Sequence, residues 1–355
     1  MRQRQGSFGR GARAAGWLLA AALLLGVGGC QMGPGTSGTS SGPESTTPTT
    51  EAPPPEAFNP LTGLYDMPVG GSSRPIGIMI GNNAKSRPQI GIEQADLYIE
   101  GETEGGITRI LAVFSCVDHV PDTVGPVRSA RSPFVTLAQA LDLVYCHAGG
   151  SAPALETLGR IDIATVNGLV YDGTTYWRDP QLREEKGYEY SLMTGRDKLE
   201  ERVTELQYRT YSNAPAPFAF GDKTGAGAGS RVQIDVSGAE TIHFRYDGEG
   251  TYTKYVGGFE DGEMHVTADG TPLTASNVVV LYADKFMENE LTCDFDLSNG
   301  HGLLVSGGTS RELRYTCSAS GLLLTETDGT PLQMAAGKTY LCFVNSRLEE
   351  NTIVE

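Results

Sequence analysis

Two hydrophobic rhythms meet in this 355-residue chain, and the place where they change limits the fold more than any other feature. Between Arg74 and Leu206, short apolar runs alternate with segments of helical spacing. From Arg231 onward, short alternating runs are separated by Asp-Gly and Gly-Gly pairs, and helical spacing fades. The first pattern belongs to an α/β layer and the second to an antiparallel β-module with tight turns. Residues 221–230, where Gly225, Gly227 and Gly229 alternate with small residues, read as a flexible connector that mild proteolysis would cut first. The expectation is an α+β or α/β domain over residues 58–224 and a mainly-β domain over 225–355. A body of that length exceeds the roughly 250 residues at which single cores stop growing.

Locally, Pro75 to Gly81 reads as a buried strand. Asp96 to Glu104 and Ile107 to Cys116 read as two arms closed by Gly105-Gly106 as a two-residue turn. That closure pairs Glu102 with Arg109 and puts Glu100, Glu102, Glu104 and Arg109 on one face. Ser132 and Pro133 form an N-cap and first-turn pair opening a helix to about Ala140. Leu141 to Cys146 reads as a strand, and Ser151 to Leu158 and Thr194 to Leu206 as helices. Asp269-Gly270-Thr271-Pro272-Leu273 recurs as Asp328-Gly329-Thr330-Pro331-Leu332, the mark of two similar hairpin corners.

Ahead of this body, residues 1–29 carry Arg2, Arg4, Arg10 and Arg13, no acid, and an uncharged apolar run from Trp17 to Val27. Such a run is too short to span a bilayer and reads as a signal peptide. It ends in Leu25-Gly26-Val27-Gly28-Gly29-Cys30, a lipobox-like series that makes Cys30 the expected lipidation site. Residues 30–57 are then the lipidated Cys and a Gly/Ser/Thr/Pro tether, with no large apolar side chain over 33–57. Removing the leader leaves 23 basic against 43 acidic side chains, a net charge of −20 that repels nucleic acid. The partner expected for the anchor is the lipid bilayer, on the extracytoplasmic face of a cell membrane.

Past Cys30, five cysteines remain: Cys116, Cys146, Cys293, Cys317 and Cys342. Their spacing matches no zinc motif, so isolated thiols are expected, with a Cys116–Cys146 disulfide as the alternative. No metal and no cofactor are expected. Three constellations carry the candidate chemistry. Glu102 beside Arg109 on a sheet face can move a proton or hold a cation. Arg128 and Arg131, in Gly125-Pro126-Val127-Arg128-Ser129-Ala130-Arg131-Ser132, precede a helix and suit a phosphate or carboxylate. His147-Ala148-Gly149-Gly150-Ser151 follows a buried strand, where His147 can act as base and Ser151 as nucleophile, although the run is not GxSxG. Trp177-Arg178-Asp179 adds a further polar knot.

Together these runs, with Arg87-Pro88-Gln89 and Glu104-Gly105-Gly106-Ile107-Thr108-Arg109, resemble the YerB-like lipoproteins. The resemblance covers about Asn59 to Val344. It implies a bacterial envelope protein with paired N-terminal and C-terminal domains of unknown function. The chain departs from that pattern at Tyr190 and Ser191, where the family carries a His-containing pair, so the resemblance implies no His-dependent reaction there.

Two functions fit the sequence. One is a non-catalytic module that binds an anionic wall polymer or envelope protein through Arg109, Arg128, Arg131, Arg178 and Asp179. The other is a hydrolase of glycan or phosphodiester bonds that uses Glu102, His147 and Ser151. For the anchor the outcome is direct: Cys30→Ser removes the only thiol that can take the diacylglyceryl group. Membrane fractionation and lipid labelling should show the body released or left as unprocessed precursor, and unchanged fractionation contradicts the assignment.

Overall fold

The computed structural model describes residues 56–355. The leader, Cys30 and the tether up to residue 55 lie outside the described residues. In chain order the elements used below are β1 (Ile76–Gly81), β2 (Leu97–Glu102), β3 (Thr108–Phe114), α1 (Ser132–Ala140), β4 (Val144–His147), α2 (Ala152–Leu158), β5 (Ala164–Asn167), α3 (Pro180–Glu185) and α4 (Arg196–Glu205). They continue with β6 (Arg231–Asp235), β7 (Thr241–Tyr246), β8 (Tyr252–Val256), β9 (Asn277–Met287), β10 (Cys293–Ser306), β11 (Thr309–Ser318) and β12 (Thr339–Asn345).

One mixed sheet of 11 strands dominates, in the order β11-β10-β9-β12-β2-β3-β1-β4-β5. Residues Gly227–Ala228 and Gly321–Thr325 pair on β11. The last long strand, β12, lies in the middle and runs parallel to both β9 and β2. The sheet thus crosses the change of pattern near residue 225, joining strands from both sides of it. The intervening glycines are pinned rather than loose. Gly225 donates its N–H to Thr309 Oγ1 at 2.8 Å, and Gly227–Ala228 pairs with Ser310 and Thr309.

Why β1 reads as a continuous apolar run is now evident: all six of its residues are buried, because the sheet is covered on both faces. On one face Ile78, Tyr98, Ile110 and Tyr340 pack against Val232, Ile242 and Phe244 of a second, 6-stranded sheet centred on β6, β7 and β8. On the other face Ile99, Leu111, Leu341 and Phe343 pack under Phe134 and Leu137 of α1 and Ala154 of α2. Phe343 stands edge-on to Phe134 and Phe295 with ring centroids 5.2 and 4.9 Å away. Its cross-strand partner is Gly101, where a Cβ would lie 2.0 Å from the ring, so only glycine fits.

Between the two sheets lies a buried charge network. Glu100 and Lys254 are fully buried, with Nζ 3.3 Å from Oε2. Oε2 also accepts from Tyr340 OH at 2.5 Å, while Oε1 accepts from Asn82 Nδ2 and Thr108 Oγ1, each at 2.7 Å. Lys254 Nζ sits 2.9 Å from His265 Nδ1, and His265 Nε2 sits 2.8 Å from Gln89 Oε1. Gln89 Nε2 donates in turn to Gly81 O and Asn82 Oδ1. Burial, and after it the Lys254 and Arg87 charges, hold the His265 imidazole well below its ordinary pKa. A neutral ring that accepts at Nδ1 from Lys254 and donates from Nε2 to Gln89 satisfies every group in the chain of bonds.

Several local expectations shift by a residue or two. The β2–β3 loop is a three-residue turn, Glu104–Gly106, with Gly105 and Gly106 at φ 68° and 77°, and Thr103 N–H donates to Ile107 O at 2.8 Å. Glu102 therefore faces Thr108, and Arg109 faces Gly101. The one-residue change sends Glu100 and Glu102 to the face opposite Arg109. Arg131, not Ser132, occupies the N-cap of α1. The strand expected over Leu141 to Cys146 runs over Val144–His147, because Leu141 and Asp142 still bond back into α1. Helix α3, which follows the Asp179 cap and opens with Pro180, is not legible in the apolar spacing. The repeated corners share one geometry: Asp269 and Asp328 accept from the N–H of Thr271 and Thr330, and Gly270 and Gly329 have φ 88° and 87°. All five cysteines among the described residues are buried free thiols, so the Cys116–Cys146 disulfide is not formed. Burial pushes Cys116, Cys293 and Cys317 up to about 11.

Removing Lys254 leaves Glu100 buried without its counter-charge. Lys254→Met should lower stability to urea by about 3–5 kcal/mol, the range for breaking a buried ion pair. Pairing it with Glu100→Gln should restore part of that loss. A Lys254→Met chain as stable as wild type shows that the pair does not hold the sheets together.

Candidate functional site

Arg109 follows Thr108 on β3 and emerges on the helical face of the sheet, opposite the Glu100 network. Its side chain is only 4% exposed. Burial first, then the neighbouring Arg131, pulls its guanidinium down to about 10. Nη1 donates to Ser129 O at 2.7 Å and Nη2 to Glu104 Oε1 at 3.2 Å. Glu104, at the head of the three-residue turn, also accepts from Arg131 through both carboxylate oxygens, a fork-to-fork pair. Burial opposes ionisation of Glu104, but Arg131 and Arg109 outweigh it and hold the carboxyl below its ordinary value.

Arg128 lies on the extended run before α1 and crosses Gly81 of β1, where a Cβ would stand 2.9 Å from Arg128 Cγ. It donates to Glu189 O at 2.7 Å and Glu189 Oε2 at 3.1 Å, and its Cζ lies 5.0 Å from the Tyr190 ring centre. Arg178 bonds Asp172 Oδ2 at 3.3 Å and Tyr188 O at 2.9 Å, with its Cζ 3.9 Å from the Tyr188 ring centre. These four arginines, with Glu104, Glu189, Ser129, Ala148 and Leu169, line a single cleft of about 360 Å³. With Asp172, which pairs with Arg178 just outside the lining, the four guanidiniums meet three carboxylates, which leaves the cluster at +1 in a protein whose net charge is −16.

The helix amides contribute less than expected. Pro133 has no N–H, and Phe134 and Val135 already donate to Arg131 O, which leaves Ser132 alone in the first turn of α1. Ser132 Oγ points away to Glu288 Oε1 at 2.5 Å. In α2, Pro153 again has no N–H and Ala154 donates to Ser151 Oγ at 3.3 Å. Anion affinity at this site therefore comes from side chains.

The catalytic candidates are not gathered in the cleft. Glu102 lies on the other face, bonded to Lys285 Nζ at 2.5 Å. His147 is 2% exposed and donates from Nδ1 to Gly149 O at 2.7 Å. Burial holds its ring below its ordinary pKa, and it stacks on Tyr145 with centroids 5.2 Å apart. Ser151 is the N-cap of α2. Asp179 is the N-cap of α3, accepting from Leu182 N at 2.8 Å, and is absent from the lining. Of the expected ligand residues, Arg109, Arg128, Arg131 and Arg178 do meet. Sequence reasoning missed Glu104 as their hub and Glu189 with Tyr188 as the outer wall. For Glu104 the signal was present, since a glycine pair preceded by a polar residue also suits a three-residue turn.

Two family models match the chain: the N-terminal domain of Protein of unknown function (DUF3048) over residues 61–209, and its C-terminal domain over residues 232–341. The chain is similar to YerB of Bacillus subtilis (strain 168), whose name carries lipoprotein as a provisional designation. The identity is 30% over 296 residues, covering 80% of this chain and 85% of YerB. The crystal structure of the Bacillus subtilis YerB protein superposes with a TM-score of 0.72 at 28% identity, covering 83% of this chain and 98% of the other.

Glu104 is the counter-charge on which Arg109 and Arg131 converge, so Glu104→Gln should cost about 2 kcal/mol, in the range for hydrogen bonds to charged groups. A carboxyl held low stabilises the fold above its unfolded value of 4.5, and that contribution fades as the pH falls through its depressed folded value. The wild-type advantage over Glu104→Gln in thermal melts should therefore be full near neutrality and shrink below pH 4.5. A pH-independent difference contradicts this assignment.

Proposed function

The chain belongs to the DUF3048 family, and from that premise we propose that it is a lipoprotein, held at the outer face of a cell membrane through Cys30, that binds an anionic envelope ligand in its arginine cleft. The observation that carries this reading is the net-positive cluster of four arginines inside an acidic body. The outer carboxylate, Glu189, has a side chain 70% exposed. An exposed ion pair of that kind contributes at most about 1 kcal/mol, so an incoming phosphate or carboxylate displaces Glu189 readily and gains the Arg128 fork. The Glu104 pairs, whose arginines are buried, stay in place and hold the inner guanidiniums. Anchoring draws on the sequence: a diacylglyceryl group supplies at least two chains, which a stable anchor needs. Ligands of this class in the envelope include anionic wall polymers and acidic surfaces of other envelope proteins.

Pyrophosphate is a suitable probe. In isothermal titration at low salt, Arg128→Ala and Arg178→Ala should each weaken its binding by about 1.5–3 kcal/mol, roughly ten- to a hundredfold, with little change in melting temperature. Affinity in the wild type should fall as salt rises. Equal affinity in wild type and both variants overturns the reading.

A further inference from the structure

The arginine cleft has an apolar shoulder that anion binding leaves unused. Leu169 lines the cleft and is 62% exposed; Val170 beside it is 68% exposed, and Leu155 of α2 is 41% exposed. Leu169 and Leu155 flank the glycine pair after His147. A Cβ at Gly149 would lie 2.7 Å from Leu169 Cδ1, and one at Gly150 would lie 3.0 Å from Leu155 Cδ2. The two glycines therefore let these side chains close over the turn, and the aliphatic surface runs on into the guanidinium cluster through Ala148.

Main-chain groups along this shoulder are already engaged. Ala148 N donates to Arg128 O at 2.9 Å, Gly149 N and Leu169 N donate to Asn167 Oδ1, and Val170 N donates to Asn167 O. The carbonyls of Ser129 and Glu189 accept from Arg109 and Arg128. A peptide bound by strand addition needs a row of free N–H groups as well as carbonyls, and the N–H groups of Ala148, Gly149, Leu169 and Val170 are all taken. What the site presents is charge joined to aliphatic surface.

Resting on the reading that the arginines take an anion, we infer that the ligand is an amphiphile, with a phosphate-type head among Arg109, Arg128, Arg131 and Arg178 and a hydrocarbon portion over Leu169, Val170 and Leu155. Charge complementarity selects the head, and burial of the exposed aliphatic side chains selects the tail. The proposed anchor at Cys30 would put the body beside lipids of that class.

The test compares three monomeric probes on the full chain: dihexanoyl phosphatidic acid, inorganic phosphate and dihexanoyl phosphatidylcholine. Phosphatidic acid should bind at least tenfold more tightly than phosphate. Val170→Ser combined with Leu155→Ser, neither of which lines the arginine cleft, should cut that advantage at least threefold while leaving phosphate affinity unchanged, and Arg128→Ala should weaken both. Equal affinity for phosphatidic acid and phosphate overturns the amphiphile inference and leaves the anion reading standing. Phosphatidylcholine binding as tightly as phosphatidic acid also overturns it, since the head then plays no part. Binding of none of the anions overturns both readings. A short peptide with a C-terminal leucine that outcompetes phosphatidic acid overturns the inference in favour of a peptide carboxylate.

Discussion

Glu100 and Lys254 meet where two sheets and two stretches of chain must agree. Each is fully buried, and each costs several kcal/mol to desolvate, so the pair is tolerable only if every remaining hydrogen-bonding position is filled. Tyr340, Asn82 and Thr108 donate to Glu100, and His265, itself held by Gln89, accepts from Lys254. These partners come from both sides of the glycine-rich connector, so the network is complete in one relative placement of the sheets. The apolar contacts around it, such as Tyr98 stacked on Tyr340 at 5.2 Å, supply cohesion without that directional demand. Fixing the register of β12 against β2 in turn fixes where β3 and its Arg109 come to lie.

The same strand pair separates two electrostatic environments. On the face toward the second sheet, the β2 carboxylates are neutralised by lysines: Glu100 by Lys254 and Glu102 by Lys285. On the helical face, Arg109 is joined by Arg131, Arg128 and Arg178, and the carboxylates number fewer than the guanidiniums. Alternation of side chains along a strand is enough to sort these charges. The choice of arginine over lysine for the outward cluster matches its planar fork, which stacks on Tyr188 and Tyr190 and still presents N–H groups sideways.

Much of this was legible locally. The run Ile76–Gly81, the helix after Arg131 and the amphipathic α4 follow from short-range apolar spacing, and their ends fall within a few residues of expectation. The arginine cluster was also legible, because Arg128 and Arg131 share one short run and Arg109 sits beside a recognisable turn. What could not be read was long-range. The turn at Gly105-Gly106 admits two lengths, and the three-residue one meets Ser237 and Ala239, about 130 residues away, a contact that no local pattern announces. Lys254 and His265 looked like ordinary residues of a β-module, and only the second sheet's placement turns them into partners of Glu100 and Gln89. Glu189 is delivered to Arg128 by the loop after α3, with no periodicity to betray it.

The central position of β12 carries a consequence for how the molecule comes into being. Tyr340 bonds a residue 240 positions earlier, and β12 is flanked by parallel neighbours on both sides, so no short hairpin can bring it in. During synthesis the middle of the sheet stays vacant until β12 emerges. Until then β2 presents an open, apolar strand edge, the surface most prone to pairing with the wrong chain. A topology dominated by such distant pairings closes slowly, since loop entropy must be overcome before the contacts repay it. The acidity of the body then has a second use, for chains that repel one another are kept apart while their central gap awaits its strand.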